Sequence, residues 1–153
     1  MKQQTETSDS NMDRDTLDIE AKIENLPQVT GFLDEKIKDL NCSKKEIAQI
    51  RIIAEEIFVN ISSYAYSPGS GRAVIQAVTS SGENSISITF IDSGVPFDPL
   101  KKEDPDISGK ALERKKGGLG IFFVKKKVDS IDYEYNDGKN VLTLKKTFQG
   151  DIS

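Results

Sequence analysis

The sequence predicts an α+β fold: a two-layer sandwich with helices on one face of a mostly antiparallel, mixed sheet. Two observations lead there. The hydrophobic patterns run β α α β β, then a long charged stretch, then α β β, without the sustained βαβ alternation that a doubly wound parallel sheet needs. Two turn signals, Ser80-Ser81-Gly82-Glu83-Asn84 and Asn136-Asp137-Gly138, each separate a pair of strand-like runs, so the strands pair as hairpins. With 153 residues and no internal repeat, the chain has the size of one domain.

Residues 1–15 are almost wholly polar and read as a disordered lead-in, ahead of a domain spanning 16–148 and a tail of 149–153. From Leu17, apolar Leu17, Ile19, Ala21 and Ile23 alternate with polar residues, the period of a half-buried strand. Pro27 suits a helix start, and Leu26, Val29, Leu33, Ile37 and Leu40 recur at spacings of three and four. Ser43-Lys44-Lys45-Glu46 reads as a capping box opening a second helix to about Tyr64. Its stripe is Ile47, Ile50, Ala54, Ile57, Phe58 and Ile61, and Ile52, Ile53 and Val59 spread apolar surface further, which predicts burial on more than one side. Strands over Arg72 to Thr79 and Ser85 to Ile91 follow. The stretch from Pro99 to Lys116 is longer and more charged than most connections, as a lid would be. Gly117-Gly118-Leu119-Gly120 opens a helix to about Val128, and strands Ser130 to Tyr135 and Val141 to Phe148 close the chain.

Composition removes whole classes of chemistry. There is no histidine and one cysteine, Cys42, which excludes a disulfide framework, a Cys/His zinc centre, a Ser-His-Asp triad and a phosphoaccepting histidine within these residues. A net charge of −4 argues against direct nucleic-acid binding. No apolar run approaches a membrane span and no apolar signal core opens the sequence, so the expected compartment is the cytoplasm.

Three motifs are chemically suggestive, though each has a plain structural reading. Glu56 and Asn60 lie four apart on one face of a largely buried helix, where burial demands a partner such as a metal or ligand; they also suit a solvated helix margin. Asp92-Ser93-Gly94-Val95-Pro96-Phe97-Asp98 ends an apolar strand. Its aspartate can accept from an exocyclic amine and Gly94 permits close approach of a flat ring, yet the same letters spell an ordinary turn. Gly117-Gly118-Leu119-Gly120 can bare backbone amides to an anion at a helix start, or serve as a hinge; it lacks the Lys-Ser/Thr of a P-loop. The lid's lysines and Arg114 are interspersed with four acids, so no single cation stands out.

Taken in order, these motifs over about residues 17 to 147 resemble the GHKL (Bergerat-type) ATP-binding superfamily, and within it the small bacterial anti-sigma-factor serine kinases. The resemblance implies a histidine-kinase-like ATPase fold binding ATP and Mg2+. Asn60 would hold the metal, Asp92 would receive the adenine amine, Gly94 would line the base pocket, and Gly118 and Gly120 would offer amides to the phosphates. Glu56 would be the general base toward a serine of a partner. Implied partners are a sigma factor and an anti-sigma-factor antagonist, with homodimerisation a further expectation. The alternative is a nucleotide-gated binding module of the same fold without useful transfer. Tyr64 stands where the resemblance implies a polar residue, often histidine.

Overall fold

The computed structural model describes residues 12–101 and 116–151. Strands β1 (Met12–Glu20), β2 (Arg72–Ser80), β3 (Ser85–Asp92), β4 (Ser130–Asn136) and β5 (Lys139–Thr147) form one sheet in the order β1-β2-β3-β5-β4. Every pairing is antiparallel, so the sheet expected as mixed has no parallel pair among the described residues. Helices α1 (Leu26–Ile37), α2 (Lys44–Asn60) and α3 (Lys116–Lys127) supply the second layer. The α+β two-layer fold is therefore present as read.

The core follows from period-two alternation. Ala73, Ile75 and Ala77 of β2, Ile86, Ile88 and Phe90 of β3, and Leu142 and Leu144 of β5 point to the helices and are buried. They meet Ile50, Ile53, Ala54, Ile57 and Phe58 of α2. Helix α2 touches α1 on one flank and α3 on the other, which accounts for its wide apolar surface; Ile52 alone of that set is exposed. Its capping box is formed, with the Glu46 amide donating to Ser43 Oγ at 3.1 Å and the Ser43 amide to Glu46 Oε1 at 3.0 Å. The β4–β5 turn places Asp137 (φ 54°) and Gly138 (φ 75°) in the left-handed region, as a two-residue hairpin turn matching the sheet twist requires.

The structure differs from the sequence reading at three boundaries. Strand β1 begins at Met12, inside the stretch read as a lead-in to residue 15, and ends at Glu20 rather than Ile23, which is exposed in a single 3-10 turn. The missed portion carries Asp13 and Asp15, whose carboxylates accept from the buried Lys36 ammonium of α1 at 2.9 and 3.0 Å. Second, α2 does not run evenly to Tyr64: after Asn60 it widens into a π-helical turn, Ile61–Ala65. Third, Gln149 and Gly150, read as the start of a tail, donate their amides to Glu46 at 2.7 and 3.0 Å. Of the lid read over Pro99 to Lys116, only the turn Pro99–Lys101 and Lys116 fall within the described residues.

Candidate functional site

The apolar layer between sheet and helices opens at one end into a cavity of about 150 Å³. Its walls are mostly aliphatic and aromatic, from Ile57, Ile61, Phe90, Ile121 and Leu142, and its polar groups are few: Asn60, Tyr64, Asp92, Tyr133 and Asn140. A largely apolar pocket with sparse polar groups is the usual construction of a small-molecule site, the apolar part supplying affinity and the polar part orientation.

Asp92 closes β3 and is 7% exposed. Both of its hydrogen bonds fall on one oxygen: Oδ1 accepts from the Gly94 amide and from Asn140 Nδ2, each at 2.9 Å. The second carboxylate oxygen has no hydrogen-bond partner among the described residues and remains an acceptor for a donor on a ligand. Asn140 stands directly across the ladder from Asp92. Its amide nitrogen also donates to the Val95 carbonyl at 2.9 Å, while its oxygen accepts from the Phe97 amide at 3.1 Å and from the Tyr133 hydroxyl. Burial pushes the Tyr133 phenol above its usual range.

Sequence reasoning does not single out Asn140, which falls between the Asn136-Asp137-Gly138 turn and the strand read from Val141. A signal was nevertheless present. Asn140 shares the inward parity of Leu142 and Leu144, so a polar side chain was bound for the interior and needed partners there.

Gly94 packs against the end of the π turn. A Cβ on it would collide with the Ala65 carbonyl, the same oxygen that accepts from the Val95 amide at 3.0 Å. The π turn and the Asp92 loop thus meet through backbone, and Asn60, Ile61, Tyr64 and Ala65 all border the cavity. Widened helical turns of this kind are frequent at functional sites because they re-aim groups that a regular helix would hold apart.

Glu56 lies one turn before Asn60 and faces α3. Its carboxylate rests against Gly120, where a Cβ would occupy the space of the carboxylate itself. It makes no hydrogen bond with the described residues, and burial, with Glu55 adding, pushes its carboxyl above the ordinary range. Gly118 lies in the first turn of α3, two residues earlier. The sequence-predicted residues therefore gather in two neighbouring places: Asn60 and Asp92 border the cavity with Gly94 behind the loop, while Glu56 and Gly120 meet across the α2–α3 junction.

A family model described as a histidine kinase-like ATPase domain matches residues 19–146. The chain belongs to that family. Among curated relatives of this histidine kinase-like ATPase domain is a protein named serine/threonine-protein kinase BtrW from Bordetella bronchiseptica, 27% identical over 62% of this chain and 66% of its own. A serine-protein kinase RsbW from Bacillus thuringiensis is 31% identical over 65% of this chain and 64% of its own, so the match spans just under two thirds of either relative. A protein named anti-sigma F factor, from Caldanaerobacter subterraneus subsp. tengcongensis, is 26% identical over 69% of this chain and 73% of its own. Among solved structures, the RsbU and RsbW domains of a Mycobacterium tuberculosis protein match with a TM-score of 0.59 at 18% identity, covering 88% of this chain and 32% of that one. That likeness establishes the fold, and the family supports nucleotide binding by the ATPase domain. Among the described residues, no helix is long and apolar enough to cross a membrane.

Proposed function

We propose that this chain is an ATP- and Mg2+-dependent protein serine kinase that acts as an anti-sigma factor, phosphorylating an antagonist protein and sequestering a sigma factor. The observation that carries the nucleotide reading is the Asp92 carboxylate, with one oxygen committed and the other open, in a largely apolar cavity. In this reading the open oxygen accepts from the exocyclic amine of adenine, and Gly94 keeps the loop against Ala65. Kinase and anti-sigma roles rest on the names carried by the relatives; homodimerisation and a cytoplasmic location are part of the proposal.

The donor set fits magnesium. Asn60 borders the cavity with a hard amide oxygen that no described residue engages, and Mg2+ in phosphoryl-transfer sites characteristically takes few protein ligands beside phosphate oxygens and water. Bound there, the metal would neutralise charge on the triphosphate. Gly118, in the first turn of α3 where amides lack an acceptor within the helix, would offer its backbone amide to the phosphates, whereas the expected Gly120 amide falls past that turn, inside the helical ladder.

Glu56 is the group suited to take a proton. Burial, with Glu55 adding, raises its pKa and with it its basicity over an exposed carboxylate, and its place against Gly120 would set it beside the phosphates. In the transfer a serine oxygen bonds to the γ-phosphorus, the bond from that phosphorus to the β,γ-bridging oxygen breaks, the serine proton passes to Glu56, and ADP leaves.

Glu56→Gln should bind ATP within about threefold of the wild type while losing transfer to a purified antagonist domain by a factor of about 10² or more, the range of a positioned general base. Labelled ATP and phosphoserine analysis measure it, and an unchanged rate would remove Glu56 from the mechanism. One observation favours the alternative, a nucleotide-gated binding module: Tyr64, 64% exposed at the cavity border, occupies the place where a polar residue was expected. In that case the same assay yields nucleotide-dependent complex formation and no phosphoserine.

A further inference from the structure

Between the π turn and β2 stands a side chain that neither the motifs nor the cavity lining includes. Tyr66, partly buried against the core, spans two backbone segments with one hydroxyl. It accepts from the Ser93 amide at 2.7 Å and donates to the Arg72 carbonyl at 2.6 Å. Gly71 has no Cβ where the ring passes; a methyl there would fall within the ring. Arg72, the first residue of β2, is itself fixed to β1, its Nε donating to Asp18 Oδ1 at 2.7 Å and its terminal nitrogen to the Asp18 carbonyl at 3.3 Å. Ser93 is the residue between Asp92 and Gly94. The loop that presents Asp92 is therefore held from two sides: Asn140 grips the Asp92 side chain, and Tyr66 grips the peptide that follows it.

We propose that Tyr66 is a positioning residue for base selection, setting the Asp92-Ser93-Gly94 turn so that the open Asp92 oxygen meets a 6-amino purine and rejects a 6-oxo purine. This inference rests on the nucleotide reading of the cavity. The selectivity follows from donor and acceptor identity: an ionised carboxylate only accepts, so it pairs with the adenine amine and opposes the carbonyl of hypoxanthine. Discrimination of that kind depends on alignment, because a carboxylate displaced from the base plane weakens the good contact and relieves the bad one. The hydroxyl's two bonds are solvent-accessible, so water can replace it on the Ser93 amide once it is gone. Its removal therefore shifts the turn more than it weakens the fold.

The experiment compares ATP with inosine triphosphate on the full chain and on Tyr66→Phe, which keeps the ring and removes only the hydroxyl. The wild type is expected to prefer ATP, and Tyr66→Phe to narrow the ATP-to-inosine-triphosphate affinity ratio by about threefold to tenfold, the scale of one lost hydrogen bond. The melting temperature without nucleotide should stay within about 3 °C, and the Ser93 amide should exchange faster with solvent. In an Asp92→Asn background, Tyr66→Phe should change the ratio no further, because both substitutions act on one contact. If Tyr66→Phe keeps the wild-type ratio, or lowers the melting temperature while leaving the ratio intact, Tyr66 is structural only and the inference is overturned with nucleotide binding untouched. If the wild type binds neither nucleotide, the reading of the cavity fails and the inference with it.

Discussion

Glu56 and Gly120 share a space that admits a carboxylate only because the glycine has no side chain. Gly120→Ala must displace the carboxylate or push α3 away from α2. We expect it to reduce phosphoryl transfer at least as severely as it weakens ATP binding, which a comparison of kcat with the ATP dissociation constant will read. A loss confined to affinity would show that Glu56 has room to move. At this scale the sequence was informative where the candidate site is built from short contiguous motifs: the pairs Glu56 with Asn60, and Asp92 with Gly94, were readable because helix spacing and turn vocabulary are local. Asn140 and Tyr66 were not. Their importance comes from the antiparallel register that sets Asn140 opposite Asp92, and from a loop that brings Tyr66 to Ser93 across 27 positions of sequence. No local pattern encodes either meeting.

Among the elements, α2 shows how one residue can serve a helix and a remote segment together. Glu46 completes the capping box and also receives the Gln149 and Gly150 amides. Burial would raise its carboxyl, but these backbone donors outweigh burial and hold it below the usual range. Because the folded value is the lower one, the stabilisation is fully present above the ordinary carboxylate range and is lost as pH falls through the depressed value. Glu46→Gln should cost about 1–3 kcal/mol at neutral pH, as expected for disturbing charged hydrogen bonds at a buried group. Its stability should also fall less steeply in acid than the wild type's, which urea melts at pH 7 and pH 4 can establish. The capping box was plain in the sequence; the tail's attachment to it was not, because Gln149-Gly150 carries no pattern of its own. The early start of β1 was hidden for a related reason. Asp13 and Asp15 occupy positions where alternation is expected to show apolar residues, and their counterpart, Lys36, lies on another element.

For the molecule as a whole, the layers, the strand directions and the hairpins followed from periodicity and turns, because these are properties of consecutive residues. Nucleotide binding should be visible as a property of the whole fold. Mg2+-ATP at a hundredfold excess over its dissociation constant should stabilise the protein by about 2.7 kcal/mol, raising the melting temperature by several degrees. GTP, presenting a 6-oxo group to Asp92, should raise it less; equal shifts would count against adenine recognition by that residue. The end remote from the cavity has a different character. Asn84, in the β2–β3 turn, donates through its amide nitrogen to the Asn41 carbonyl at 2.9 Å and the Phe148 carbonyl at 3.0 Å, and accepts from the Asn41 amide at 2.9 Å. One side chain thus rivets the α1–α2 connection, a hairpin and the end of the chain at the pole where β3 begins, about 24 Å along that strand from Asp92. That pole is tied across both layers by a single amide side chain. The candidate site lies at the opposite end, where α3 and the Asp92 loop border the cavity.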